Sequence, residues 1–192
     1  MIVVVTAVGN AGGSRAAAAA LACAGSVADR ASLLIDLEAA RSPRPSLVAT
    51  AAARTLEGRL TAHLPGAEVA SRGRICQLAL RDDSQDRRAS VEQVAAALPL
   101  VRDSLAVVHL PQSRFQTALV EPRIRPSGAL LCADLAVDRP LTALAVGDLM
   151  GRGIEVVVLK QPLGWLVARA AELGALPDAA GVLPRRAARL LP

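Results

Sequence analysis

Six short runs of valine, leucine, isoleucine and alanine recur along the chain, with segments of helical pattern between them. Most of these runs are apolar on both faces, which is typical of strands in a parallel sheet covered by helices on both sides. The alternation predicts an α/β fold, a three-layer, mostly parallel, doubly wound sheet flanked by helices. The predicted strands are Met1–Val8, Ala31–Leu37, Arg74–Leu80, Ser104–Leu110, Ala129–Leu135 and Ile154–Lys160.

The segments between the runs predict the helices that a parallel sheet needs as connections. They are Ser14–Ala24, Thr50–Leu64, Ser90–Val101, Ser113–Val120, Arg139–Met150 and Leu163–Glu172. Gly151 and Gly174 follow helical runs and are predicted to end them. A chain of 192 residues can bury a sizeable core, so we expect a single domain over residues 1–192.

The first strand leads into a glycine-rich loop and an alanine-rich helix, VTAVGNAGGSRAAAAALA from Val5 to Ala22. In an open parallel sheet, ligands bind at the carboxyl ends of the strands. A glycine loop there offers backbone N–H groups, and the following helix offers its positive end. Gly9, Gly12 and Gly13 could therefore hold an anion. The same residues also suit a plain strand–turn–helix junction that binds nothing.

A phosphate-binding loop of the form G-x-x-x-x-G-K-[ST] would begin at Gly9. Ser14 then stands at the second glycine, Arg15 at the lysine and Ala16 at the hydroxyl residue. Ala16 has no oxygen for Mg²⁺, and the planar guanidinium of Arg15 differs from a compact ammonium. The pattern predicts a loop whose phosphate chemistry is lost, with an ATPase that uses Arg15 in place of lysine as an alternative.

A dinucleotide-binding loop is a further alternative. A G-x-x-G-x-x-G pattern fits Gly9 and Gly12 but then meets Arg15. Asp36, at the end of the second predicted strand, stands where an acid would bind a ribose. An NAD(P)-dependent Rossmann enzyme therefore stays open, although the chain contains no tyrosine to serve as a catalytic acid.

The composition limits the possible partners. The formal net charge is +5, and Lys160 is the single lysine among the basic residues. Scattered arginines permit non-specific DNA contact, for which Arg185, Arg186 and Arg189 are candidates. Trp165 and Phe115 are the only aromatic residues, so a base-stacking surface is not expected.

The cysteines and histidines show no metal-binding spacing. Cys23, Cys76 and Cys132 lie in apolar surroundings and are expected to be buried, reduced thiols of a cytoplasmic protein. His63 and His109 are far apart in the sequence, and no metal site is expected. The apolar start of the chain is too short for a signal peptide and lacks a basic flank.

Several segments, in the same order, resemble the ParA/MinD family of deviant P-loop ATPases, and in particular its degenerate CpaE/TadZ-like members. NAGGSRA (Asn10–Ala16) stands where that family has KGGxGKT, and SLLIDLE (Ser32–Glu38) is similar to its second strand, VLLIDLD. DSLAVVHLP (Asp103–Pro111) keeps the frame of the Walker B strand with His109 at the aspartate. Lys160 stands near the family's adenine-reading asparagine, and GVLPRRAARL (Gly181–Leu190) resembles its closing motif.

The resemblance implies a P-loop NTPase-like fold whose catalytic side chains are replaced. The signature lysine falls on Asn10, the phosphate lysine on Arg15, the Mg²⁺ hydroxyl on Ala16 and the Walker B acid on His109. We therefore expect no catalytic residue and no cofactor, with ATP binding doubtful. A vestigial nucleotide or anion site is predicted at Gly9, Asn10, Gly12, Gly13, Ser14, Arg15, Ala16, Asp36 and His109.

The function that the resemblance implies is a non-catalytic positioning or scaffolding factor. It would serve the assembly of a bacterial pilus or secretion machine, or cell division or partition. The partners would be a second copy of the chain in a homodimer, a machine component and non-specific DNA, with peripheral membrane association through partners.

Overall fold

A computed structural model describes residues 1–9, 13–26, 30–37, 48–80, 87–101 and 104–160 of the chain. The predicted helix Leu163–Glu172, the predicted stop at Gly174, the arginines near the C-terminus and the closing motif lie outside the described residues. Within the described residues, no helix combines the length and the apolar character needed to cross a bilayer.

Seven strands form one sheet in the order β3-β4-β2-β5-β1-β6-β7, and every pairing is parallel except that of β3 with β4. The strands are β1 (Ile2–Val8), β2 (Ser32–Asp36), β3 (Glu68–Arg72), β4 (Ile75–Ala79), β5 (Ala106–His109), β6 (Gly128–Ala133) and β7 (Glu155–Lys160). The helices are α1 (Ser14–Gly25), α2 (Ala51–His63), α3 (Arg87–Ala97), α4 (Gln112–Val120) and α5 (Arg139–Gly151). The predicted α/β class and mostly parallel sheet are confirmed.

The central strands are covered on both faces, as their apolar sequences predict. In β1, Val3 and Val5 pack on the side of α1, whereas Val4 and Val8 pack on the opposite side. Apolar residues of α2, α3, α4 and α5 belong to that opposite side. This division makes three layers, with α1 alone on its side among the described helices.

β3 was missed by the sequence interpretation, which placed no strand between the helix ending near Leu64 and the strand beginning at Arg74. β3 is antiparallel to β4 and lies at the sheet edge. Its sequence EVASR is short and partly polar, so no continuous apolar run marks it. Gly73, with φ +56°, lies in the turn that joins the two strands.

The start of α3 and the end of α5 also differ from the prediction. α3 begins at Arg87 rather than Ser90 and ends in a 3₁₀ turn over Leu98–Val101. α5 ends at Gly151, but the residue in the left-handed conformation is Gly153, with φ +75°. The N–H of Gly153 donates to Met150 O and that of Ile154 to Leu149 O, which is a Schellman motif.

Candidate functional site

The polar centre of the molecule lies at the carboxyl ends of β2 and β5. Asp36 and His109 are the last residues of these neighbouring strands and are paired in register. Two residues earlier in each strand, Leu34 and Val107 pack on the α1 side of the sheet. Because side chains alternate along a strand, Asp36 and His109 both face the side where α1 begins.

Helix α1 begins directly above these two residues. Gly13 precedes it with φ +83°, and the first backbone bond of the helix runs from Ala17 N–H to Gly13 O. Ser14 and Arg15 therefore occupy the first turn, where the N–H groups have no acceptor within the helix. This end of the helix carries the positive end of its dipole, which favours negative charge nearby.

A continuous chain of polar contacts joins the two strand ends to α1. Arg15 Nε lies 2.6 Å from Asp36 Oδ2, and His109 Nδ1 lies 2.9 Å from Asp36 Oδ1. On the other side of the ring, His109 Nε2 lies 3.0 Å from Ser14 Oγ. Asp36 and His109 are each 1% exposed and Ser14 is 8% exposed, whereas the Arg15 side chain is 47% exposed. We call these four residues the Ser14–Arg15 network.

The charges of the network dictate the direction of its hydrogen bonds. Paired with the Arg15 guanidinium, Asp36 is a carboxylate and can only accept, so Nδ1–H of His109 donates to it. In the neutral imidazole the other nitrogen, Nε2, is then an acceptor, and the hydroxyl of Ser14 donates to it. The buried negative charge of Asp36 is thus balanced from the solvent side by Arg15 and held from the inside by His109.

Asp138 is a second acid beside the loop, and the sequence interpretation did not select it. The residue is 8% exposed and immediately precedes α5. A Cβ at Gly9, which has φ +63°, would collide with the carboxylate of Asp138, so the acid leaves no room for a side chain there. An aspartate just before a helix usually caps it through a side-chain hydrogen bond, but the Asp138 side chain makes no capping hydrogen bond.

Most of the predicted site lies at this edge of the sheet. Ser14, Arg15, Asp36 and His109 are in contact through the network. Asn10 and Gly12 lie outside the described residues. The remaining predicted site residues, Gly9, Gly13 and Ala16, lie in the loop and the first turn of α1.

Lys160, the other site residue implied by the resemblance, ends β7 and is exposed. Since β6 lies between β7 and β1, Lys160 is placed at the far side of the loop from Asp36. Lys160 ends a strand at the carboxyl edge of the sheet, as expected from the sequence. Among the described residues, no contact joins it to the network.

The three cysteines are buried thiols outside any disulfide, as predicted. Burial raises the pKa of Cys23 to about 11 and the pKa values of Cys76 and Cys132 to about 12. His63 lies on the exposed face of α2, where its Nδ1 lies 2.8 Å from Arg59 O. Across the ranges that the structure describes, no three His, Cys, Asp or Glu side chains form a group that could hold a metal ion.

The fold has a counterpart among solved structures. The chain is similar to the ParA of a structure described as "pNOB8 ParA bound to nonspecific DNA", with 13% identity and a TM-score of 0.50. The likeness covers 97% of this chain and 79% of the ParA chain. At this identity it shows the fold, which is ParA-like. A scan against protein-family models finds no match, and a search among curated proteins finds none either.

Proposed function

We propose that the chain is a ParA/MinD-like positioning or scaffolding factor, of the degenerate CpaE/TadZ-like kind, that does not hydrolyse ATP. The observation that carries the proposal is the 2.6 Å contact between Arg15 and Asp36. Arg15 stands at the position of the phosphate-binding lysine, yet its guanidinium is ion-paired with a buried carboxylate. The machine that it serves would be one for pilus or secretion assembly, cell division or partition.

The other chemical positions of the loop support the same proposal. Ala16 brings a buried methyl group to the position of the Mg²⁺-binding hydroxyl, and His109 stands at the position of the Walker B acid. Phosphoryl transfer depends almost wholly on placed cations and metal ions. Loss of one such electrostatic group commonly costs about 2.7–4 kcal/mol of transition-state stabilisation, so several losses together leave no useful ATPase.

The charges around the loop oppose the binding of a triphosphate. The carboxylates of Asp36 and Asp138 both lie at the carboxyl edge of the sheet, and Arg15 already neutralises one of them. An incoming polyanion would have to draw Arg15 away from Asp36 and leave that buried charge less compensated. We therefore propose that the residues named from Gly9 to Ala16, with Asp36 and His109, are a vestigial nucleotide site without a cofactor.

Titration calorimetry with Mg-ATP, Mg-ADP and NAD at millimolar concentration tests the proposal. We expect no binding heat from any of the three and no release of phosphate from ATP. Micromolar binding of Mg-ATP, with turnover that Arg15→Ala abolishes, would establish the alternative of an active ATPase with an atypical loop. Binding of NAD would establish the Rossmann alternative. The burial of Asp36 in contact with Arg15 and His109 argues against it.

The assembly proposed with this function is a homodimer that forms without nucleotide. Light scattering on the eluting protein, with and without Mg-ATP, is expected to give the same dimeric mass. A monomer under both conditions would contradict this assembly.

Non-specific DNA binding is proposed as a second property because the similar ParA structure is described as bound to nonspecific DNA and this chain has a net charge of +5. A gel-shift titration over a range of salt concentrations tests it, since phosphate contacts weaken steeply as salt rises. A blank result at low salt would remove DNA from the proposed partners.

A further inference from the structure

Ser14, His109 and Asp36 are joined in the order that a serine nucleophile, its base and the acid orienting the base require. The Ser14 Oγ to His109 Nε2 distance is 3.0 Å, and the His109 Nδ1 to Asp36 Oδ1 distance is 2.9 Å. Both lie within hydrogen-bonding reach of a nucleophile and base, roughly 2.6–3.2 Å. The three residues come from different elements, so this order results from the fold and not from a local turn.

The direction of the two hydrogen bonds also suits a nucleophile. The Asp36 carboxylate fixes the tautomer of His109 with its proton on Nδ1, so Nε2 has a lone pair directed at the hydroxyl of Ser14. The hydroxyl proton can then pass to Nε2 along an existing hydrogen bond. The Arg15 guanidinium, with Nε 2.6 Å from the other carboxylate oxygen, places a positive charge beside Asp36, which favours the carboxylate that orients His109.

The surroundings of Ser14 supply donors for negative charge. Ser14 is the first residue of α1, and the N-cap residue before it is Gly13, which has no side chain to accept from the first N–H groups of the helix. The N–H groups of Arg15 and Ala16 belong to the first turn and have no acceptor within the helix. Backbone donors of this kind at a helix N-terminus stabilise an oxyanion that develops at an acyl carbon.

The same replacements that remove phosphoryl chemistry create this arrangement. Ser14 stands where the phosphate loop has glycine, and His109 stands where the Walker B strand has aspartate. Acyl transfer to serine needs a base and an oxyanion site, and it needs neither Mg²⁺ nor a phosphate-binding lysine. The chemistry therefore goes beyond the proposed positioning function and does not depend on it.

We infer that Ser14 is a nucleophile, with His109 as its general base and Asp36 as a positioning residue, in a site that hydrolyses small carboxylic esters. Ser14 Oγ bonds to the acyl carbon and its proton moves to His109 Nε2. The bond from that carbon to the alcohol oxygen breaks, and the alkoxide takes the proton from the imidazolium. Water, activated by the same nitrogen, then cleaves the acyl-serine to a carboxylic acid and restores the hydroxyl. An exposure of 8% at Ser14 restricts the acyl group to a small one.

A fluorophosphonate probe tests the nucleophile directly on the folded wild-type chain. Arg15 is the first arginine of the sequence, so trypsin releases residues 1–15, in which Ser14 is the one serine. Mass spectrometry is expected to find the phosphonyl group on Ser14. Ser127, whose hydroxyl donates to Ile2 O and which is more exposed than Ser14, serves as the internal control and should remain unmodified.

Variants and denaturation separate the relay from mere exposure. His109→Gln is expected to slow the labelling of Ser14 by roughly 10²-fold or more, as loss of a general base does. Asp36→Asn should slow it as well, because the carboxylate that holds the proton on Nδ1 of His109 is lost. The labelling rate constant reports the nucleophilicity of Ser14 rather than the quantity of folded protein. Urea-denatured wild-type chain should not label, which provides the control if a variant fails to fold.

Hydrolysis completes the test. Wild-type protein is expected to release nitrophenol from p-nitrophenyl acetate and to show an acetyl group on Ser14 in quenched samples, whereas Ser14→Ala shows neither above the buffer rate. Absence of label on Ser14 of the folded wild-type chain, or equal labelling of Ser14 and Ser127, would overturn the inference. These results are independent of nucleotide binding, so they leave the proposed function to its own experiment.

Discussion

Asp36 is the residue on which the site depends most, because it is a carboxylate at 1% exposure, at the carboxyl end of an inner strand of the sheet. One of its oxygens, Oδ2, forms an ion pair with Arg15 Nε at 2.6 Å, and the other, Oδ1, accepts a hydrogen bond from His109 Nδ1 at 2.9 Å. A buried charge is tolerated in a protein only where it is paired and hydrogen-bonded. Arg15, in the first turn of α1, therefore contributes to the stability of the fold.

Arg15→Ala is expected to lower the free energy of unfolding by about 1–3 kcal/mol, because it removes the ion-pair partner of a buried carboxylate. Arg123→Ala is the matched control, since Arg123 Nε also lies 2.6 Å from a carboxylate, that of Glu121, but at the protein surface. Urea unfolding of both variants measures the difference. Equal losses of unfolding free energy would show that the burial of Asp36 adds nothing to the strength of its ion pair with Arg15.

Gly9→Ala is expected to destabilise the chain more than Gly66→Ala. Both glycines have positive φ, +63° and +84°, so each alanine incurs left-handed strain of about 1–2 kcal/mol. Only at Gly9 does the new Cβ collide with a neighbour, the carboxylate of Asp138, while nothing lies within 4 Å at Gly66. Thermal unfolding of the pair checks this, and equal losses would mean that Asp138 moves aside without cost.

Helix α5 joins β6 to β7 and buries Leu149 at 0% exposure, while Leu144 on its outer side is 72% exposed. Its end is fixed by the Schellman motif at Gly153 rather than by the sequence position of Gly151. Gly151 is thus part of the helix, whereas Gly153 ends it through its left-handed conformation.

Gly147→Ala within α5 is expected to raise the free energy of unfolding by about 0.5–1 kcal/mol, since glycine in a helix interior costs conformational entropy and nothing lies within 4 Å of the new methyl. Gly153→Ala has equally open surroundings but φ +75°, so it should destabilise by about 1–2 kcal/mol. Chemical unfolding curves of the two variants should move in opposite directions, and a shift in the same direction would contradict the motif.

The three thiols are distributed over both apolar layers of the core. Cys76 packs on the side of α2 to α5, and Cys23 and Cys132 pack on the side of α1. Burial raises their pKa values from 9.0 to about 11, 12 and 12 for Cys23, Cys76 and Cys132. The folded chain therefore holds protons that the unfolded chain loses in alkaline solution.

Stability should accordingly fall as the pH rises above about 8.5. Thiols of the unfolded chain ionise near pH 9 while those of the folded chain stay protonated, so the unfolded state binds fewer protons and is favoured. At about 1.4 kcal/mol per group and pH unit, the loss between pH 8 and pH 10 is about 4 kcal/mol. The chain has no tyrosine and a single lysine, so few other side chains titrate there.

Urea unfolding under reducing conditions at both pH values measures this loss. Cys132→Ala should remove about a third of the pH-dependent part, whatever its effect at pH 8. A free energy of unfolding that is flat between the two values would show that the thiols ionise in the folded protein.

Residue order was enough to predict the sheet and the position of the loop, because continuous apolar runs such as that of Ile2–Val8 have no stable place except between two helical layers. It also placed Ser14, Arg15, Asp36 and His109 at strand ends and a helix start. It did not reveal β3, whose edge position needs no apolar run, nor the Schellman end of α5 at Gly153.

Which of these side chains are in contact depends on how the strands and α1 pack together. Asp36 and His109 are far apart in the chain and become neighbours because β2 and β5 are adjacent and in register. Their common direction follows from strand alternation, and the contact with Ser14 and Arg15 follows from the packing of α1 on that face. A hydrogen-bonded relay is a property of distances of about 3 Å between distant residues, which residue order alone does not specify.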